Sequence, residues 1–186
     1  IIAGEIDLSI ASILALSSAM LGYSYANGAP IWLAIIIALL VGSLCGFVNG
    51  FLVTKLGLGS LAVTIGALAL YRGIANGILG TNTVSEFPEF WTTFGFDTFG
   101  TSFVPQTLPV IIALGIFFGL LLHNTPFGRR TLAIGQSPVA AQFAGINVVR
   151  HKIIIFTFTG FMSGVAGVIY TFRFSTAQAD NGIGLE

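Results

Sequence analysis

Two carboxylates stand directly before the first apolar run of the chain, in Gly4-Glu5-Ile6-Asp7-Leu8-Ser9. A carboxylate near bilayer depth is unfavourable unless it is paired, faces water or caps a helix, so Asp7 is a candidate functional residue. Alternatively, Asp7 caps the N-terminus of the following helix, its oxygen accepting backbone N–H groups. Both interpretations place this carboxylate at the start of a helix.

Arg72 is a single cation inside another apolar run. It could meet Asp7, line a polar pathway, or extend its long apolar stem so that the guanidinium reaches the nearer interface. Uncharged polar residues in or beside the runs offer hydrogen-bond donors and acceptors, so they could line a path for a polyol or simply bond one helix to another. They are Ser9, Asn49, Thr64, Tyr71 and Asn76.

Enzyme signatures are poor. The sequence has no His-Glu-x-x-His zinc motif and no phosphate-binding Gly-x-x-x-x-Gly-Lys loop, and it offers no predicted metal site or catalytic residue. An intramembrane hydrolase would need a histidine at membrane depth to activate Ser163, but His123 and His151 both fall in a loop.

The composition limits the class of protein that can hold these residues. Of 186 residues, 55% are hydrophobic and 8% are charged, against about 25% charged in a soluble domain. This excludes a soluble globular protein, and it also excludes a disordered chain, a nucleic-acid binder and a disulfide scaffold, which need charge, polarity or cysteines that are missing here. Cys45, the single cysteine, lies inside an apolar run and is interpreted as a small core residue.

Five continuous apolar runs are long enough to be candidate membrane spans. They cover residues 8–25, 30–53, 58–79, 108–122 and 153–172. Backbone groups have no partners in hydrocarbon, so spans are helices or closed barrels, and continuous rather than alternating runs favour helices. The sequence therefore predicts an all-α polytopic bundle of about five spans, although Arg72 and three glycines could break the third span.

Charge placement gives the bundle an orientation. Residues 123–152 carry four basic residues and no acid, whereas residues 81–107 carry three acids and no base. The positive-inside rule makes 123–152 a cytoplasmic loop and 81–107 a periplasmic one, and Lys55 falls on the cytoplasmic side. Arg173 is then the one basic residue left outside.

The predicted periplasmic loop is too aromatic for a solvated linker. It should lie at the membrane interface or pack over the bundle, with a plain structural cap as the alternative. Its aromatic residues are Phe87, Phe90, Trp91, Phe94, Phe96, Phe99 and Phe103.

Glycines at four-residue spacing predict close helix packing, because they align on one helical face and let backbones approach. They are Gly42, Gly46 and Gly50, Gly115 and Gly119, and Gly160 and Gly164.

The cytoplasmic loop contains a short predicted helix. Ser137 is a favourable N-cap, Pro138 suits the first helical position, and Gly145 suits the position just past the end. A two-turn helix with basic flanks is a natural docking element for a soluble partner; the alternative is an ordinary connector.

Several motifs in order resemble the ribose-type permeases of bacterial ABC sugar importers. They are Gly4-Glu5-Ile6-Asp7-Leu8-Ser9, Gly46-Phe47-Val48-Asn49-Gly50, Thr64-Ile65-Gly66 with Tyr71-Arg72-Gly73, Thr125-Pro126-Phe127-Gly128-Arg129-Arg130 with Ala133-Ile134-Gly135, and Ser175-Thr176-Ala177-Gln178. The chain departs from the pattern at Glu5, where many members have glycine, and at Ser137, where asparagine is common.

The resemblance implies a transmembrane permease domain over residues 1–186, partial and lacking spans at both ends. It also implies a coupling helix over 138–144 that receives the stroke of an ATPase. The implied coupling residues are Arg129, Arg130, Ser137, Pro138, Ala140, Ala141 and Gly145.

The implied function is import of a monosaccharide such as ribose, xylose or rhamnose across the bacterial inner membrane. The chain would be a transport subunit without cofactors and not an enzyme, with ATP bound by cytoplasmic ABC ATPase subunits. Further implied partners are a periplasmic sugar-binding protein, a second permease copy or paralogue, and the lipid bilayer. Related permeases for branched-chain amino acids or a furanone signalling molecule, and a purely structural membrane subunit, are the alternatives.

Overall fold

The computed structural model describes residues 2–98 and 104–185, and within these ranges the chain is helical. The helices are α1 (Ile10–Ala26), α2 (Ile31–Lys55), α3 (Ser60–Leu79), α4 (Glu89–Phe96), α5 (Leu108–Asn124), α6 (Pro126–Gln136), α7 (Pro138–Phe143) and α8 (Val148–Phe174). The predicted all-α class is confirmed, and α3 is one unbroken helix.

Helix α1 is the centre of the bundle. It packs against α2, α3 and α8, and every residue from position 11 to position 19 is buried. Hydrocarbon offers no hydrogen bonds, so partners for its buried serines must come from the protein. Ser12 and Ser18 have such partners, whereas the Ser17 hydroxyl is buried without one among the described residues.

Glycines bring α2 and α8 into backbone contact. A Cβ added to Gly46 would lie 2.2 Å from the carbonyl oxygen of Phe156, and one on Gly42 would lie 2.6 Å from that of Gly160. The contacts run in opposite directions along the two helices, so α2 and α8 are antiparallel. The predicted close packing is confirmed for this pair.

The same spacing in α5 makes no such contact. Gly115 and Gly119 have nothing within 4 Å of an added Cβ, and α5 has no buried residue among those described. The prediction of close packing is wrong for these two glycines, because α5 packs mainly against α6 rather than across the bundle.

Three described helices, α2, α3 and α8, are long and apolar enough to cross a membrane. The pair α5 and α6 forms a fourth candidate span bent by 72°. Gly128 lies at this bend, where a Cβ would meet the backbone of Leu122. Helix α1 has 17 residues, at the short end of what a span of about 30 Å requires.

The two ends of the bundle differ in charge. Lys55, the start of α3 and the basic loop 123–152 lie together, and this is called the basic end. At the opposite end, α4 packs on α8: Gly95 approaches the backbone of Phe172, and the rings of Trp91 and Phe172 stack at 5.3 Å. The aromatic loop therefore packs over the bundle as predicted; Phe99 and Phe103 fall outside the described residues.

Candidate functional site

Four of the predicted site residues form one hydrogen-bonded series, called here the polar chain: Asp7, Ser9, Asn49 and Tyr71. Asp7 Oδ1 accepts from the Ser9 backbone N–H at 2.9 Å and from its hydroxyl at 2.6 Å. Asn49 Nδ2 donates to Ser9 Oγ at 2.8 Å. The Tyr71 hydroxyl donates to Asn49 Oδ1 at 2.9 Å. The polar chain thus joins the segment before α1 to α2 and α3.

The polar chain starts near the basic end and reaches the middle of the bundle. Asn49 stands six residues before the end of α2 at Lys55, or about 9 Å along the helix. Tyr71 stands eleven residues after the start of α3 at Ser60, or about 16 Å. Ser9 and Asn49 have no solvent exposure, and Tyr71 has 5%.

Asp7 supplies the one formal charge of the polar chain. Its Oδ2 is buried and has no hydrogen-bond partner. The predicted cap takes a modified form: the N-cap position belongs to Ser9, and Asp7 accepts the N–H of that residue just before α1. The carboxylate therefore fixes the entry into α1 and retains one free acceptor.

The other predicted polar residues have hydrogen-bond partners of their own. Thr64 donates to Ser60 O at 2.9 Å within its own helix, and its Oγ1 also lies 3.5 Å from the carbonyl oxygen of Ile6, beside Asp7. Asn76 is exposed and donates to Arg72 O at 3.2 Å. Arg72 Nη1 donates to Asn181 O at 3.3 Å. Arg72 lies about 18 Å along α3 from Ser60, so it extends toward the opposite end from Asp7.

A second polar cluster at that opposite end was missed by sequence reasoning. Ser18 Oγ and Thr171 Oγ1 are 2.7 Å apart, and Asn181 Nδ2 donates to Ser18 Oγ at 2.8 Å. All three side chains are buried. The hydroxyl groups of Ser18 and Thr171, each inside an apolar run, were the available signal. Their partner Asn181 follows the last helix, and only the folded structure shows that it returns to contact them.

The basic end carries the predicted short helix, α7. Ser137 Oγ accepts from the Ala140 N–H at 3.2 Å, and Gly145 has a φ of 81°, as a residue closing a helix requires. Ala141 is buried at 4%, whereas Val139 and Phe143 are 63% and 89% exposed.

The two apolar side chains Val139 and Phe143 lie on one face of α7, because residues four apart are helical neighbours. Sequence reasoning named Ala140 and Ala141 but missed this pair. The available signal was two large apolar residues at helical spacing in a loop that carries basic residues. Arg129, Arg130, Pro138, Ala140 and Gly145 are also exposed here, and Ser137 is half-buried.

The basic loop is fixed to the bundle by three contacts. Thr131 Oγ1 and His151 Nε2 are 2.9 Å apart, which joins α6 to α8. The Lys152 ammonium pairs with the Glu5 carboxylate. Gly135 approaches the backbone of residue 2 so closely that a Cβ would overlap it. These contacts hold the segment before α1 between α6 and α8.

Comparison with known proteins agrees with this arrangement. The sequence matches the family described as "Branched-chain amino acid transport system / permease component" over residues 1–186. The chain belongs to this permease family. Its apolar helices are those of a multi-pass membrane protein, and the predicted membership of a sugar or branched-chain ABC permease family is confirmed.

Two kinds of relative illustrate the range of the permease family. The chain is 36% identical over 188 residues to the autoinducer 2 import system permease protein LsrD of Klebsiella pneumoniae, covering 98% of this chain and 56% of that protein. It is 37% identical over 184 residues to the L-arabinose transport system permease protein AraH of Escherichia coli, covering 98% and 55%. The chain thus spans about half the length of these relatives. No solved structure matches it.

Proposed function

We propose that this chain is part of the membrane-spanning subunit of an ATP-driven ABC importer that carries a monosaccharide-type substrate across the bacterial inner membrane. The family and the names of its relatives support the transport class. The observation that carries the proposal is the exposed apolar face of α7, formed by Val139 and Phe143 on the basic end.

Helix α7 has the properties of a docking element. Large exposed apolar side chains rimmed by polar ones mark protein interaction sites, and Phe143 is 89% exposed while Ala141 anchors the helix from its inner face. The positive charge of the loop supports a cytoplasmic location for this face. A cytoplasmic ABC ATPase subunit is the partner that such a surface would receive, with Arg129 and Arg130 beside it.

The contacts of the basic loop supply a route for a mechanical stroke. Movement of α7 by the ATPase subunits would move α6 and, through Thr131 and His151, the start of α8. The ion pair of Lys152 with Glu5 would carry this displacement to the segment that begins the polar chain. ATP is bound by the partner, so this chain needs no cofactor and performs transport rather than catalysis.

Alternating access is the proposed transport cycle. The bundle, opened toward a loaded periplasmic sugar-binding protein, would pass the sugar inward beside a second permease copy or paralogue. The sugar would move past polar side chains that offer hydroxyl, amide and charged groups. In this chain they are the residues of the polar chain together with Thr64, Arg72 and Asn76.

The chemistry of these residues favours a sugar over an amino acid. A free amino acid brings an ammonium and a carboxylate close together, and a site that binds both through charged side chains holds opposite charges at one place. Asp7 lies near the basic end of the bundle, whereas the Arg72 guanidinium extends toward the opposite end, so the two charges are not at one place. Asn49 and Tyr71 lie between them and are neutral donors and acceptors suited to hydroxyl groups. Ribose, xylose, rhamnose and L-arabinose are the proposed candidates; autoinducer 2 is a second candidate because LsrD proteins are among the relatives.

The docking role of α7 is tested by replacing Phe143 in the full-length permease. Phe143→Ser should lower co-purification of the ATPase subunit at least about tenfold, because truncating an aromatic hot-spot residue at an interface costs about 2 kcal/mol or more. Gln142→Ser, at the exposed neighbouring position, is the matched control and should keep wild-type association. Equal association of the two variants with the ATPase subunit would contradict the assignment of α7 as the docking element.

A further inference from the structure

A cleft of about 630 Å³ lies at the basic end between α6, the link from α7 to α8, and the first two turns of α8. Its wall includes two guanidinium groups, Arg130 from α6 and Arg150 from α8, together with Asn147. Its lining also includes the apolar side chains of Phe127, Ile146 and Ile154. The cleft is therefore amphipathic, with cationic and hydrocarbon surfaces in one concavity.

The charge of the cleft is positive and is not compensated by its own lining. Both arginines are exposed, and no acidic residue occurs between positions 123 and 152 of the sequence. Lys152, the neighbouring cation, pairs with Glu5 outside the cleft. Two uncompensated guanidinium groups facing one space bind phosphate well, because each presents a planar fork of N–H donors.

The apolar part of the cleft lining continues along α8 and onto α5. Arg150 lies in the first turn of α8, and Ile154 lies one turn further into this apolar helix. Phe127 contacts Phe158 deeper in the same helix, at 6.1 Å between ring centroids. The apolar surface continues onto α5, where Phe118 meets Phe158 at 6.5 Å.

We propose that this cleft binds an anionic phospholipid of the cytoplasmic leaflet. The phosphate of the lipid lies between Arg130 and Arg150, and its acyl chains run along Phe127 and Ile154 toward the exposed face of α5. Basic pockets between helices on the cytoplasmic side are suited to anionic headgroups. An acidic segment of a soluble partner would match the arginines but would leave the apolar wall of the cleft uncovered, so the lipid fits both surfaces.

The test measures lipid retained by the full-length permease after detergent extraction, by native mass spectrometry with phosphatidylglycerol and phosphatidylcholine offered in equal amounts. The wild type should retain phosphatidylglycerol in preference. Arg130→Gln and Arg150→Gln should each lower its retention at least about fivefold. Lys55→Gln is the matched control, because Lys55 is an exposed cation at the basic end that does not line the cleft; it should retain phosphatidylglycerol as the wild type does.

Three results from the variants and from competition would overturn the proposal. Equal loss of lipid in Lys55→Gln would show general attraction to the basic end rather than a site. Displacement of the lipid by millimolar inorganic phosphate would assign the cleft to a soluble anion. Unchanged lipid retention with weaker ATPase association in Arg130→Gln would assign it to the ATPase subunit.

A charge-preserving variant guards against loss of lipid caused by misfolding. Arg130→Lys with Arg150→Lys preserves the charge and should retain intermediate amounts of lipid. For the wild type alone, equal retention of the two lipids would already contradict the proposal.

Discussion

Asn49 is the residue on which the polar chain depends. Its amide donates to Ser9 and accepts from Tyr71, and it has no exposure to solvent. An amide in an apolar run is unfavourable in hydrocarbon unless both of its functions are used, since the surroundings offer no replacement partner. The fold satisfies it with one bond to the start of α1 and one to α3, so Asn49 fixes three elements relative to one another.

Removing the Tyr71 hydroxyl tests this arrangement. Tyr71→Phe deletes the bonds to Asn49 Oδ1 and to the Cys45 carbonyl, and it should lower the stability of the permease by about 1 kcal/mol. The measurement is thermal unfolding in detergent. Tyr23→Phe is the control, because Tyr23 is 47% exposed near the end of α1; a Tyr71 variant as stable as this control would contradict the role of the polar chain.

The ion pair of Glu5 with Lys152 joins the segment before α1 to α8. Both side chains are largely buried, at 19% and 14% exposure. Removing one partner leaves the other charge without compensation, which is more unfavourable than removing both.

A double-mutant cycle measures this coupling. Glu5→Gln and Lys152→Met should each destabilise the protein, and the double variant should be less destabilised than the sum, with a coupling energy of about 0.5–3 kcal/mol. Thermal or denaturant unfolding at constant ionic strength gives the four values. Strict additivity would show that the pair contributes nothing to holding the segment before α1.

At the scale of the helices, contact between α2 and α8 depends on glycine. The two backbones approach until a Cβ on Gly46 or Gly160 would lie within 2.3 Å of a facing carbonyl oxygen. No side-chain rotation can relieve a backbone contact, so any larger residue must separate the helices.

Gly46→Ala should therefore destabilise the bundle by about 1–3 kcal/mol, the range for overpacking a well-packed core. Gly66→Ala in α3 is the control: nothing lies within 4 Å of its added Cβ, and alanine is the better helix former by about 1 kcal/mol. Unfolding in detergent should rank Gly66→Ala at or above the wild type and Gly46→Ala below it. The reverse order would contradict the packing of α2 on α8.

The glycines also show how far sequence reasoning reaches. Their spacing correctly predicts a smooth face on α2 and α8, yet the same spacing in α5 faces open space. Glycines repeated every four residues define one face of a helix, but they do not show which other helix packs against that face. Likewise, Ser137, Pro138 and Gly145 predict α7 from local chemistry, whereas the polar cluster of Ser18 and Asn181 requires the chain to fold back after α8.

At the scale of the whole molecule, long-range contacts agree with one orientation of the bundle. The pair of Glu5 and Lys152 joins two segments at the basic end. The bridge of Val84 with Ala177 joins two segments at the opposite end. We propose, from the positive-inside rule, that the basic end faces the cytoplasm. Helix α7 and the start of the polar chain would then lie on the side where the proposed partner hydrolyses ATP.

The central claim is that this chain is part of an ATP-driven sugar importer, and uptake into proteoliposomes tests it most directly. The full-length permease, reconstituted with its ATPase subunits and binding protein, is offered labelled ribose, xylose, rhamnose, L-arabinose, autoinducer 2 and leucine. We expect uptake of at least one monosaccharide that requires both ATP and the binding protein. Uptake of leucine alone, or sugar uptake that proceeds equally without ATP, would contradict the account.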